Sequence, residues 1–193
     1  MHLNIVFQIF TRVRNLMLHP AREWQEIAAK NNSRKTVYLR FVFPWLCLIG
    51  LTTIIGTWLA TPREQYSVAF VLYRIVLLWA SISAGLYGSA IVITEIMAHQ
   101  MGSRDRNRDF ALIAYASGAA YSVIAFVTLF PFFSELLILA FYSCYLFWQG
   151  IPYMIKVDDQ KQMIYGLLSF IILLLVHFLM FFLFGNVLRA ILF

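Results

Sequence analysis

Four ionisable residues lie inside long apolar stretches of this sequence, where a charge is costly unless something stabilises or uses it. They are Arg74, Glu95, Glu135 and His177. If such groups converge on one route, they can bind and pass on protons or ions. Arg74 and Glu135 enter from the same side of the apolar layer. They can therefore form a structural bridge or line a vestibule.

Glu95 and His177 each allow a structural and a chemical interpretation. Glu95 either binds a proton or cation, or pairs with a basic loop residue. The candidate basic partners are Arg104, Arg106 and Lys156. His177 either makes a structural hydrogen bond or relays protons.

Motifs for catalysis or metal binding are missing from the sequence. It has no His-x-x-x-His pair, no Gly-rich phosphate loop and no Gly-x-Ser-x-Gly elbow. Cys47 and Cys144 lie within apolar stretches without metal-ligand spacing. We therefore expect no catalytic residue, no metal site and no cofactor, and we expect that the protein is not an enzyme.

Composition places these residues in a membrane. The chain has 193 residues, of which 62% are hydrophobic and 12% are charged. Five apolar blocks approach or exceed the roughly 20 helical residues that cross a bilayer: about 39–60, 68–97, 110–130, 132–148 and 163–184. The sequence predicts an all-α polytopic helical bundle, with one transmembrane domain over 39–193.

Residues 1–38 are predicted to form amphipathic helices at the cytoplasmic membrane interface. The first has apolar positions at helical spacing, namely Val6, Ile9 or Phe10, Val13, and Leu16 or Met17. Arg12 and Arg14 lie beside them. The second helix begins at Pro20 and carries Trp24 on its apolar side. We expect these helices to face lipid; the alternative is that they pack on protein.

Basic residues indicate the orientation. One side of a five-span topology holds Arg12, Arg14, Arg22, Lys30, Arg34, Lys35, Arg40, Arg104, Arg106, Arg108, Lys156 and Lys161. The other side holds only Arg63 and Arg189. Because Lys and Arg favour the cytoplasm, the N-terminus is expected inside and the C-terminus outside. This distribution suits lipid headgroups, and no nucleic-acid partner is expected.

Local signals place helix ends and contacts. Ser33 is expected to cap the first span, Pro131 to separate the third and fourth spans in a tight hairpin, and Gly150 with Pro152 to end the fourth. Small residues recur every fourth position in two ladders: Ser81, Gly85 and Ser89, and Ala114, Gly118 and Ser122. We expect these ladders to pack the second span against the third.

The segment ILAFYSCYLFWQGIPYMIKVDDQKQMIY, residues 138–165, resembles the Ypt-interacting-protein (YIP) family. The stretch LMLHPAREWQEIAAKN resembles that family's entry segment. The residues that carry the resemblance are Pro20, Trp24, Tyr142, Tyr145, Gly150, Pro152 and Lys156. Eukaryotic members bind Rab-type GTPases in vesicle traffic. The short N-terminal region is similar to that of bacterial-type members, which implies a bacterial inner membrane.

The expected function is that of a non-catalytic scaffold or adaptor of YIP type. Its cytoplasmic face would bind protein or lipid partners, and a homo-oligomer is a further expectation. The alternative is a small transporter or permeation pathway that uses the intramembrane charged residues.

Cysteines introduced at Gln65 and Asn107 test the orientation, in a background without Cys47 and Cys144. An impermeant maleimide added from outside should label the cysteine at 65 and leave the one at 107 unlabelled, because the basic loops stay inside. The reverse labelling pattern would contradict the predicted orientation.

Overall fold

The structure is a computed structural model that describes residues 3–101, 105–155 and 159–192. In these ranges the chain forms seven helices and no strand: α1 (Leu3–Leu18), α2 (Pro20–Lys30), α3 (Arg34–Ala60), α4 (Val68–Met101), α5 (Arg106–Leu129), α6 (Pro131–Met154) and α7 (Asp159–Leu192). Helices α3 to α7 include five segments long and apolar enough to cross a membrane. The all-α class and the five spans are confirmed.

Helix α5 lies at the centre of the bundle. About 72% of the residues in its most apolar 18-residue segment are buried, whereas the same fraction is 11% in α6 and 11% in α7. Helices α3 and α6 pack along α5, whereas α4 contacts mainly its first half. Helix α7 packs along α4. The outer surfaces of α6 and α7 are left apolar and exposed, as lipid-facing helices require.

Helices α3 and α5 approach each other closely in their C-terminal halves. The hydroxyls of Thr52 and Thr128 are hydrogen-bonded at 2.8 Å. Beside them, Gly56 lies against the backbone of Thr128 and Leu129, so closely that a Cβ at Gly56 would be 2.7 Å from the Leu129 carbonyl oxygen. Only glycine leaves room for this approach.

The prediction that the two small-residue ladders face each other is wrong. Gly85 of α4 faces His177 of α7, where an added Cβ would be 2.6 Å from the imidazole ring. Gly118 of α5 faces Val13 of α1 and Phe41 of α3. Small residues do mark close approaches in both places, but their spacing along one helix carries no information about which neighbour approaches.

The hairpin between α5 and α6 is confirmed. Phe130 leaves helical geometry, with φ −122° and ψ 78°, and Pro131 begins α6. The first half of α6, Pro131–Phe141, has 3₁₀ geometry and buries no side chain. It is kinked at Phe133, whose backbone leaves helical geometry with φ −104° and ψ 34°.

The prediction that Gly150 and Pro152 end the fourth helix is wrong. Helix α6 continues through Gly150 and Pro152 to Met154. Gly150 serves packing instead, since a Cβ there would be 2.7 Å from the Trp24 indole. Pro152 falls in the last turn, where a missing N–H costs only one helical hydrogen bond.

Both N-terminal helix boundaries follow local chemistry. Pro20 occupies the first turn of α2. Asn31, directly after the last residue of α2, adopts the left-handed conformation with φ 38° and ends the helix. The Ser33 hydroxyl then accepts a hydrogen bond from the Thr36 amide at 3.3 Å, so the predicted cap of α3 is confirmed.

Gly56→Ala should lower the stability of the protein by about 1–3 kcal/mol, because the added Cβ would meet backbone atoms that have no room to move. Thermal unfolding in a mild detergent measures the change. Gly185→Ala is the matched control, since the nearest atom to a Cβ there is 4.0 Å away. Equal stability of the two variants would contradict the close approach of α3 and α5.

Candidate functional site: the N-terminal cap and its polar contacts

Helix α2 is anchored on α6 by Trp24. This indole is fully buried and lies over Gly150, with Leu112 of α5 alongside. Two residues of the family-like motifs, Trp24 and Gly150, are thus in direct contact. Burying a tryptophan removes a large apolar area from water and fixes α2 against the bundle.

Helix α1 is tied to α2 by a partly buried polar cluster. The Arg12 Nη1 atom lies 3.2 Å from Oε1 of Glu23, which is 5% exposed. Asn15 donates a hydrogen bond to the same carboxylate at 3.3 Å. The Arg12 guanidinium also lies over the Tyr115 ring of α5, 5.4 Å from its centroid. Removing one member of such a cluster leaves a charge buried without its partner, which is strongly destabilising.

The apolar side of α1 packs on protein. Val13 and Leu16 are buried, while Phe10 contacts Trp45 edge to face at 5.1 Å between ring centroids. Phe7 and Leu18 are exposed on the other side. The alternative left open by the sequence, packing on protein, therefore holds for one face of α1. We refer to α1 and α2 together as the N-terminal cap.

The two tyrosines of the motif lie at the edge of this cap. The Tyr142 hydroxyl donates a hydrogen bond to the Met17 carbonyl at 3.3 Å, which joins α6 to α1. The Tyr145 ring lies 5.4 Å from that of Tyr142 and is about half exposed. Lys156, the last residue of the motif, lies outside the described residues.

Asp109 is a buried carboxylate that the sequence reasoning missed. It is 6% exposed and accepts hydrogen bonds from the Thr94 hydroxyl at 2.7 Å and the Tyr165 hydroxyl at 3.3 Å. It therefore joins α4, α5 and α7 at one point. The sequence signal that could have found it is Asp105. The Asp105 side chain accepts hydrogen bonds from the Asn107 and Arg108 amides and so caps α5, which places Asp109 in the first turn of that helix.

The four ionisable residues within the spans do not all meet at one place. Glu95 pairs with Arg106, as one of its two interpretations predicted. Arg74 donates to the Thr57 hydroxyl at 3.2 Å, and no ion pair joins it to Glu135 among the side chains that the structure describes. Arg74 and Glu95 are 21 residues apart on α4, about 30 Å along its axis.

His177 lies with Arg74 on one cavity of about 510 Å³ between α4, α5, α6 and α7. Its Nδ1 atom is 2.9 Å from the Leu173 carbonyl and 3.4 Å from the Ser89 hydroxyl. This is the structural hydrogen bonding expected of a histidine within an apolar helix.

No group of three His, Cys, Asp or Glu side chains is placed to hold a metal in the part of the chain that the structure describes. Cys47 and Cys144 are free thiols on different helices, α3 and α6.

The family model of the Yip1 domain matches residues 14–181, most of the chain. The match begins within α1 and ends within α7, so it includes the Trp24–Gly150 contact, Asn15 with Glu23, and Asp109, while Arg12 lies just before it. No curated protein and no solved structure matches the chain.

Tyr165→Phe and Thr94→Val should each lower stability by about 1–3 kcal/mol, because each removes a donor from a buried carboxylate. Thermal unfolding of the purified protein measures the loss. Tyr145→Phe removes a hydroxyl from an exposed ring and should change stability by no more than about 0.5 kcal/mol. If Tyr165→Phe were as mild as Tyr145→Phe, Asp109 would not join the three helices.

Proposed function

The chain belongs to the Yip1 domain family, and we propose that it is a non-catalytic membrane scaffold or adaptor. Family membership makes it a multi-pass membrane protein, and Yip1 domain proteins are generally not enzymes. In our proposal its cytoplasmic face binds protein or lipid partners, or a second copy of the chain. The membrane is a bacterial inner membrane, with the N-terminus inside and the C-terminus outside.

The observation that carries this proposal is the fixed N-terminal cap. Trp24 against Gly150, and Arg12 with Asn15 against Glu23, hold α1 and α2 on the bundle. A surface that is already ordered can bind a partner without the entropic cost of ordering its own side chains and helices first. The outer surface of the cap carries charged side chains that extend from these fixed helices, such as Arg22.

The local pairing of polar groups also favours a scaffold. Glu95 pairs with Arg106, Asp109 accepts from Thr94 and Tyr165, and the Glu23 cluster is separate from both. A hydrated route would need such groups to converge along one path. Polar groups that already have local partners of this kind have structural roles instead.

A second candidate, a small transporter or permeation pathway, is favoured by the cavity at Arg74 and His177. The Ser81 hydroxyl also lines this cavity, and it is buried without a hydrogen-bond partner. The cavity involves only the outer part of α4, however. Glu95 lies several turns away and is bonded to Arg106, so this observation supports a local pocket more than a route.

A photoreactive amino acid placed at Arg22 or Lys35 should give discrete cross-linked products in native membranes, because both side chains are exposed beside the cap. The photoreactive amino acid placed instead at Arg63, at the opposite end of the bundle, is the positional control. Gly150→Leu should displace Trp24 and remove most of the product. Gly185→Leu should keep it, because the nearest atom to a Cβ at Gly185 is 4.0 Å away. Products from Arg63 alone, or equal products from both leucine variants, would contradict the proposal.

A further inference from the structure

Two cavities of opposite character adjoin each other beside the N-terminal cap. One has a volume of about 540 Å³, lies between α1, α2 and α3, and is lined by many polar side chains. The other has a volume of about 470 Å³, runs along α3 beside α1, and is almost wholly apolar. Ile9 and Arg40 line both cavities. The two therefore adjoin and form one amphipathic site, whose polar and apolar parts we call the headgroup cavity and the chain groove.

The headgroup cavity has an excess of positive charge. Its cationic side chains are Arg12, Lys30 and Arg40, and its acidic ones are Glu23 and Glu26. Both acids already have basic partners: Glu23 lies 3.2 Å from Arg12, and Glu26 lies 3.6 Å from Arg22. Lys30 and Arg40 have no carboxylate within ion-pairing distance among the described side chains.

Other polar groups line the cavity around these two cations. The Arg12 Nη1 atom is buried beside Glu23, so Lys30 and Arg40 are the cations left for a ligand. Asn32 and Thr36 contribute further polar atoms to the wall. Guanidinium and ammonium groups with free donors are the groups that bind phosphate oxygens in proteins.

The chain groove leads from this positive cavity along the first span. Its walls are formed by Phe10 of α1 and by Leu39, Phe43, Leu48 and Leu51 of α3, and three of these α3 side chains are exposed by about 40% or more: Leu39, Phe43 and Leu51. A single turn of π-helix, Tyr38–Val42, carries Arg40 at the junction of the two cavities. Such π turns occur often at functional sites.

The geometry points to a phospholipid with a net negative headgroup, taken from the leaflet that the cap faces. Its phosphate would bind Lys30 and Arg40, and one acyl chain would lie in the chain groove. Both volumes fall in the range of small-molecule sites. A soluble phosphate would use the headgroup cavity alone and leave the apolar groove exposed. This inference rests on the proposed function, since it names a lipid partner for the cytoplasmic face.

Native mass spectrometry of the purified full chain tests the site, with phosphatidylglycerol as the anionic probe and phosphatidylethanolamine as the zwitterionic one. Phosphatidylglycerol should bind more tightly. The double variant K30Q/R40Q should weaken its binding about 30-fold, and R40Q alone about 5-fold, as expected for cations near an anionic lipid. The double variant R14Q/K35Q removes the same charge from outside the cavity and should bind as the wild type does.

Two further measurements show whether the anion belongs to a lipid and where the acyl chain lies. Phosphatidylglycerol with a photoactivatable acyl chain should cross-link within 39–51, and glycerol phosphate at equal concentration should not displace the lipid. Equal losses in both double variants, displacement by glycerol phosphate, cross-links elsewhere, or no preference for the anionic lipid would each overturn the site. These measurements contain only protein and lipid, so a failed lipid site leaves the cross-linking test of partner binding unaffected.

Discussion

The enclosure of α5 is the constraint on which the rest of the structure depends. A helix surrounded by protein has few waters or headgroups to satisfy its polar side chains, so their partners must come mainly from the protein itself. Asp109 takes hydroxyl donors from α4 and α7, and Thr128 bonds to Thr52 of α3. Because each of these bonds connects α5 to a different helix, they also fix the positions of the neighbouring helices.

The N-terminal cap completes this enclosure at one end. Without α1 and α2, the surfaces of α5 and α6 around Leu112, Tyr115 and Gly150 would be uncovered. Trp24 fills the apolar part of that surface, and Arg12 covers the Tyr115 ring. The opposite situation holds for α7, which packs mainly on α4 and leaves the cavity at Arg74 and His177 beside it. The cap therefore covers α5 and α6 around Trp24, whereas a cavity remains between α4, α5, α6 and α7.

Features that depend on a few neighbouring residues were predictable from the sequence. The five spans follow from the length of apolar segments, the hairpin from Pro131 and the start of α3 from Ser33. Contacts between distant segments were not predictable in the same way. Glycines at 85, 118 and 150 do mark close approaches, but the neighbours are His177, Val13 with Phe41, and Trp24. Asp109 was missed because it directly precedes the apolar block that starts at Phe110, where a carboxylate is ordinarily solvated.

The central claim is that the charged residues within the spans stabilise the fold and do not carry a solute. The most direct test is flux into proteoliposomes for the wild type and Glu95→Gln, with a panel of cations and small anions. We predict that neither protein gives flux above that of empty liposomes. The variant should lose no more than about 1 kcal/mol of stability, since a half-exposed ion pair contributes little. A reproducible wild-type flux that disappears in a folded Glu95→Gln variant would contradict this account.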